Sequence, residues 1–132
     1  MKYMQIGKSD IQVSKIGLGT WAIGGGSWWG DNDDAESIRT IHAALDLGLN
    51  LVDTAPVYGM GHSEEVVGKA IADRREKVVL STKCGLMFDR TEGSYYFSRD
   101  GKDVYKNLSK NAIVDSVDQS LRRLKTDYID IM

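Results

Sequence analysis

Cysteine occurs once in the 132 residues, proline once and histidine twice. The lone thiol, Cys84, excludes an intramolecular disulfide and makes a reducing, cytoplasmic setting the expected one. With a single proline and no low-complexity tract there is no linker, so residues 1–132 read as a single domain. No apolar run approaches the roughly 20 residues of a membrane span. MKYMQIGKSD at the N-terminus lacks the apolar centre of a signal peptide. A strong charge of one sign is also missing: a net −2 gives no reason to expect nucleic acid or an anionic membrane as partner. Apolar residues make up 42% and charged residues 27%, the proportions of an ordinary globular chain. A chain of this length buries roughly two-thirds of its unfolded surface.

What is present is a regular alternation. YMQIGKSDIQVS, residues 3–14, alternates apolar with polar around Gly7 and reads as a short hairpin. KIGLGT, 15–20, is a brief strand, and the glycine- and tryptophan-rich WAIGGGSWWGDND after it reads as a loop. From Asp33 or Asp34 the period becomes helical, with Ile38, Ile41 and Leu45 on one face and Gly48 placed to end it. NLVDT, 50–54, is a second strand. Ser63 is expected to cap a helix carrying Val67, Ala70 and Ile71, with Glu64 and Glu65 complementing its dipole. KVVLSTK, 77–83, is a third strand, followed by a loop of about 25 residues, long enough to suggest function. Ser109 opens a helix with Ile113, Val117, Leu121 and Leu124 on one face, and Tyr128–Met132 begins a fourth strand.

Strands apolar on both faces that alternate with amphipathic helices predict a parallel sheet under helical cover. Ligands then sit at the carboxyl ends of the strands. Thr20-Trp21, Asp53 to Tyr58 and Lys83 all fall there and can converge across 30-residue gaps. An Asp, a Tyr and a Lys together have a definite acid–base use. A phenol is a poor acid at neutral pH, an adjacent ammonium favours its ionised form, and a carboxylate keeps that ammonium charged and aimed. Tyr58 could then donate a proton to an oxygen becoming alkoxide-like, as carbonyl reduction requires. From spacing alone a second reading stands beside it: an Asp53–Lys83 ion pair against which Tyr58 merely packs.

Four segments carry a resemblance: GLGTWAIGG at 17–25, LVDTAPVYGMGHSEEVVGKAI at 51–71, VVLSTKCG at 78–85 and SLRRLKTDYIDI at 120–131. Together they resemble the aldo-keto reductase family over nearly the whole chain. That resemblance implies a TIM-type (β/α) barrel closed below by an N-terminal hairpin, and reduction of aldehydes or ketones to alcohols with NADPH. It implies that Tyr58 is the general acid, that Lys83 tunes it and that Asp53 pairs with Lys83. Thr20 and Trp21, with Asp53, match positions near the nicotinamide end of the cofactor. Trp28, Trp29, Tyr95, Tyr96 and Phe97 fall in loops that line substrate pockets in relatives, and no metal site is expected.

The family pattern also includes a catalytic histidine a few residues beyond a YID motif like that at 128–130. The sequence reaches Met132 before that point, and neither His42, on the flank of the first helix, nor His62, in the loop before Ser63, substitutes for it. The expected structure is therefore the N-terminal half of a parallel (β/α) barrel, a hairpin plus about four strands and three helices, truncated and weakly active or inactive alone. A half-barrel with open strand edges has an alternative use as a non-catalytic interaction or self-assembly module, pairing into homo-oligomers.

Several features invite other readings. GLGTWA imitates a dinucleotide fingerprint, but the helix waits until about residue 33, which excludes a Rossmann loop. Gly24 to Gly26 read as a flexible loop, although their N–H groups could bind phosphate. The Trp28-Trp29 pair could stack on a substrate ring or bury against the barrel rim. Cys84 reads as a small buried filler and RDGKD, 99–103, as a solvated turn.

Overall fold

The computed structural model describes all of residues 1–132. The chain opens with an antiparallel hairpin of β1 (Tyr3–Gln5) and β2 (Gln12–Ser14), in which Met4 faces Val13. Asn50 ties this hairpin to the body: its side chain accepts from Ser14 N at 2.7 Å and donates to the Gln12 carbonyl at 2.9 Å.

A parallel sheet follows, ordered β3 (Leu18–Gly19), β4 (Leu51–Asp53), β5 (Val79–Ser81). A fourth strand begins as a single parallel bridge between Ser81 and Ile131. Each crossover carries a helix: α2 (Asp34–Asp46), α3 (His62–Ile71) and α4 (Lys110–Leu124). Val52 and Leu80 are fully buried beneath them, against Ile41, Val66, Val67 and Ile71. Side chains of this kind contribute roughly 1.5–3 kcal/mol each when fully buried. Apolar residues occupy both strand faces as expected, Val52 and Leu80 on one and Leu51 and Val79 on the other, but only the first face is fully covered. Burial alternates along β4 and β5, with Leu51, Asp53, Val79 and Ser81 only half-buried on the face away from the helices.

Local chemistry sets the helix ends. The Asp33 carboxylate caps α2 by accepting from Ala35 N and Glu36 N at 2.8 and 3.1 Å, and Asp34 and Glu36 suit the positive end of its dipole. Ser109 caps α4 as the sequence predicts. Ser63 does not cap α3: Gly61 holds the flanking position and Ser63 lies inside the first turn, facing the strands. His62 is likewise the first residue of α3, bonded to Asp34 at 2.7 Å, rather than part of the preceding loop. On α4 the deepest residues are Ala112, Ser116, Ser120 and Leu124, while Ile113, Val117 and Leu121 stay half exposed. Small residues sit inside because α3 and α4 touch closely, and a β-carbon at Gly68 would lie 2.6 Å from the Leu124 carbonyl oxygen.

Two predicted loops contain structure. WAIGGGSWWGDND forms a 3-10 turn at Ala22–Gly24 and a short helix, α1 (Gly26–Trp29). Residues 85–107 form a second, antiparallel sheet, β6 (Leu86–Met87), β8 (Lys102–Lys106) and β7 (Ser94–Arg99) in that order. Asp100 and Gly101 make the β7–β8 turn with positive φ at both positions, as that hairpin geometry demands. No helix is long and apolar enough to cross a membrane.

Candidate active site

Register builds the site. Gly19 pairs with Asp53 and Asp53 with Ser81, so one step further Thr20, Thr54 and Thr82 stand level at the strand ends. Their N–H groups extend the ladder to Asp53 O, Ser81 O and Ile131 O at 2.9, 2.9 and 3.1 Å. Strand alternation turns Asp53 and Ser81 to one face, where Ser81 Oγ donates to Asp53 Oδ1 at 3.2 Å. The three threonines turn to the other face and are buried. Lys83, one residue beyond Thr82, returns to the face of Asp53.

The Lys83 ammonium donates to Asp53 Oδ2 at 2.8 Å, to Asp53 Oδ1 at 3.0 Å and to the Thr54 carbonyl at 2.8 Å. An ammonium has three hydrogens, and these three acceptors account for them. Its nitrogen also lies 4.8 Å from the centroid of the Tyr58 ring. The cation therefore addresses the π-face of the phenol while its hydrogens stay on Asp53 and Thr54.

Tyr58 is delivered by successive tight turns, with Tyr58 N bonded to Ala55 O and Ser63 N to Tyr58 O, both at 3.1 Å. The turn abuts the first loop backbone to backbone. A β-carbon on Gly59, whose φ is 61°, would meet Gly24 O at 2.1 Å, so only glycine fits. That contact brings Trp21 over Tyr58, ring centroids 5.8 Å apart and 24° from parallel. Trp28 and Trp29 stand edge-on to Trp21 at 4.9 and 5.5 Å, and Phe97 reaches Trp28 at 6.0 Å. Beside Tyr58 and Lys83 a cavity of about 230 Å³ is lined also by Ala55, Pro56, Val57, Cys84 and Leu86.

The sequence-predicted residues fare unequally. Asp53, Tyr58, Lys83 and Trp21 converge, and Trp28 and Trp29 join them as an exposed rim rather than a buried one. Thr20 is fully buried at the first strand end, where its hydroxyl donates to Asp53 O and accepts from Ser63 Oγ at 2.9 Å each. Cys84 is half exposed on the cavity wall, not a buried filler. Tyr95 and Tyr96 lie in β7 rather than in a loop. A register shift between Tyr95 and Phe97 breaks the alternation, leaving Tyr95 against Tyr105 and Tyr96 touching the wall through Phe97. RDGKD is a turn, yet not a free one: Asp100 accepts from Ser27 N at 3.3 Å, and Arg99 donates to Ser27 Oγ at 2.6 Å. The triglycine is likewise packed rather than flexible, with Gly24 and Gly25 buried.

Ser63 and Glu64 reach the strand ends unforeseen by the sequence reading. Glu64 is fully buried, accepting from Thr82 Oγ1 and from Arg123 Nε at 2.6 Å each. Ser63 donates to Thr20 O at 2.8 Å and lies 3.2 Å from Thr54 Oγ1. The available signal was a threonine beside each site residue, in GTW, DTA and STK.

A model of the aldo/keto reductase family matches residues 15–132. Over 133 residues the chain is 49% identical to an NADH-specific methylglyoxal reductase of Escherichia coli (strain K12), covering 99% of this chain and 40% of that protein. The solved glycerol dehydrogenase of Gluconobacter oxydans superposes with a TM-score of 0.77 at 44% identity, over 96% of this chain and 37% of that one. An aldo/keto reductase of Klebsiella pneumoniae, solved with NADP and acetate, matches with a TM-score of 0.65 at 34% identity, over 90% and 34%. The chain thus spans about two-fifths of the length of the relatives it matches, and its fold is the N-terminal part of their (β/α) barrel.

Proposed function

This chain belongs to the aldo/keto reductase family, and from that premise we propose that it carries the proton-donating part of a carbonyl reductase site. The observation that supports this most directly is the Asp53–Lys83–Tyr58 arrangement. Lys83 is fixed by Asp53 and by the Thr54 carbonyl, so its charge stays beside the Tyr58 ring. A cation there stabilises negative charge on the phenol oxygen as its proton leaves. Tyr58 donates that proton to the carbonyl oxygen of a small aldehyde or ketone seated in the cavity, giving the alcohol.

A reduced nicotinamide nucleotide, when bound, supplies the hydride. The residues present fit its reactive end: Trp21 offers a flat exposed wall, and Asp53 a half-exposed carboxylate. NADPH is our reading, supported by the relative solved with NADP, and the NADH-specific relative makes NADH the second arm of the test. We read residues 1–132 as one folding domain of a cytoplasmic protein, this part of the barrel being weakly active or inactive alone. In an assay with NADPH or NADH and a reactive aromatic aldehyde, Tyr58→Phe is expected to lower the rate at least ~100-fold. A variant that kept its rate would remove Tyr58 from the role.

A second reading rests on the open sheet. β3 ends the order on one side, and Leu51 and Val79 are only half-buried on the face away from the helices. Two copies meeting at these edges would cover both faces. Sedimentation is expected to show dimers or larger species, and a clean monomer would exclude self-assembly.

A further inference from the structure

Glu64 is an expensive residue. A carboxylate removed wholly from water costs several kcal/mol unless paired and hydrogen bonded. Here each oxygen takes one short bond, Oε1 from Thr82 Oγ1 and Oε2 from Arg123 Nε. Arg123 comes from the far helix, α4, and is itself mostly buried. Thr82 immediately precedes Lys83, and the two side chains leave opposite faces of the same strand end. Beside Glu64 on the same helical turn, Ser63 binds Thr20 and lies against Thr54, the residue whose carbonyl holds Lys83. The first turn of α3 therefore touches all three strand ends, always through the threonine that neighbours a site residue.

We propose that Glu64, through Thr82, is a positioning residue for Lys83. The chain of contact runs from Arg123 to Glu64, to Thr82 Oγ1, across the strand backbone to Lys83, and so to Asp53. Holding Thr82 fixes the backbone from which Lys83 projects. The ammonium then keeps all three hydrogens on Asp53 and Thr54 and stays beside the Tyr58 ring. Ser63 does the same for the Thr20 and Thr54 ends. A hydrocarbon core under the strand ends would supply stability but no directional hold on a single backbone position, which hydrogen bonds do supply. Positioning in this sense presupposes the proton-donor role proposed above for Tyr58 and Lys83.

The test reads Lys83 itself and needs no turnover. Trace acetylation of the whole folded chain, resolved residue by residue by mass spectrometry, gives the reactivity of Lys83 relative to exposed Lys8 and Lys15. Thr82→Val removes the hydroxyl and keeps the shape. It is expected to raise relative Lys83 labelling about fivefold, the factor carried by one hydrogen bond of ordinary strength. Thr82→Ser is expected to restore the original value. Glu64→Asp, which keeps the charge and shortens its reach, is the second variant and is expected to move Lys83 in the same direction. A purely structural role would lower the melting temperature and leave the labelling ratio alone. An unchanged ratio in both folded variants overturns the proposal. Because no cofactor or carbonyl enters the assay, this failure is distinct from Tyr58→Phe retaining turnover, which would remove the catalytic reading and leave the labelling result standing.

Discussion

The parallel strand ends and the antiparallel hairpin of β7 and β8 both contribute residues to one face, yet they are held in opposite ways. Thr20, Thr54 and Thr82 are buried, and every hydroxyl has a buried partner. The hairpin presents Tyr95 and Tyr96 to solvent and reaches the first loop through Arg99, Asp100 and Phe97. Buried hydrogen bonds are short, unscreened and costly to break, so they define one position. Exposed contacts compete with water and permit adjustment. The strand ends that carry Asp53 and Lys83 are thus held rigidly, and the aromatic rim is left adaptable.

The comparison breaks most sharply at its arginines. Arg123→Met strands the buried Glu64 carboxylate and is expected to cost about 3–5 kcal/mol of unfolding free energy. Arg99→Met removes a guanidinium 4.8 Å above the Trp28 ring together with its bonds to Ser27, and is expected to cost about 1 kcal/mol or less. Chemical denaturation measures both. Amide exchange sharpens the contrast: Arg99→Met is expected to speed residues 94–106 and leave 51–53 and 79–81 protected. Equal losses for the two arginines would show that rim and strand ends are one cooperative unit.

A smaller effect lies where the antiparallel sheet meets α4. Burial pushes the Asp89 carboxyl up, but hydrogen bonds from Gln119 at 2.6 Å and Arg90 at 3.4 Å outweigh it and hold the group below the usual carboxylate value. A depressed carboxylate stabilises the fold above the ordinary carboxylate value of about 4, and that contribution disappears as pH falls through the lower folded value. The side chain is 37% exposed, so the contribution is expected to stay below about 1 kcal/mol. Melting of Asp89→Asn against the parent should accordingly converge between about pH 6 and about pH 3. A gap that widens on acidification would reverse the sign.

Much of the architecture was legible because it is written locally. Ile38, Ile41 and Leu45 mark a helix by period, Asp33 and Ser109 start helices by hydrogen bonding their own first turns, and Asn50–Thr54 can scarcely be other than a strand. Residues 85–107 were illegible for the opposite reason. Tyr95, Tyr96 and Phe97 run consecutively across a register shift, so no period of two survives to announce β7. Ser63 misled because a serine before two glutamates has the chemistry of a cap, and only the approach of three strand ends gives its hydroxyl better partners.

The sequence by itself determined the hairpin, the alternation of parallel strands with α2, α3 and α4, the family and the chemical types at the site, since periodicity, capping and motif spacing act over a few residues. Tertiary structure alone decided that Lys83 spends its hydrogens on Asp53 and Thr54 and meets Tyr58 by the ring face. It alone buried Thr20 against Ser63 and gave Glu64 two partners, 18 and 59 residues away. These outcomes depend on strand register and on the distance between packed helices, and both are fixed only when remote segments meet.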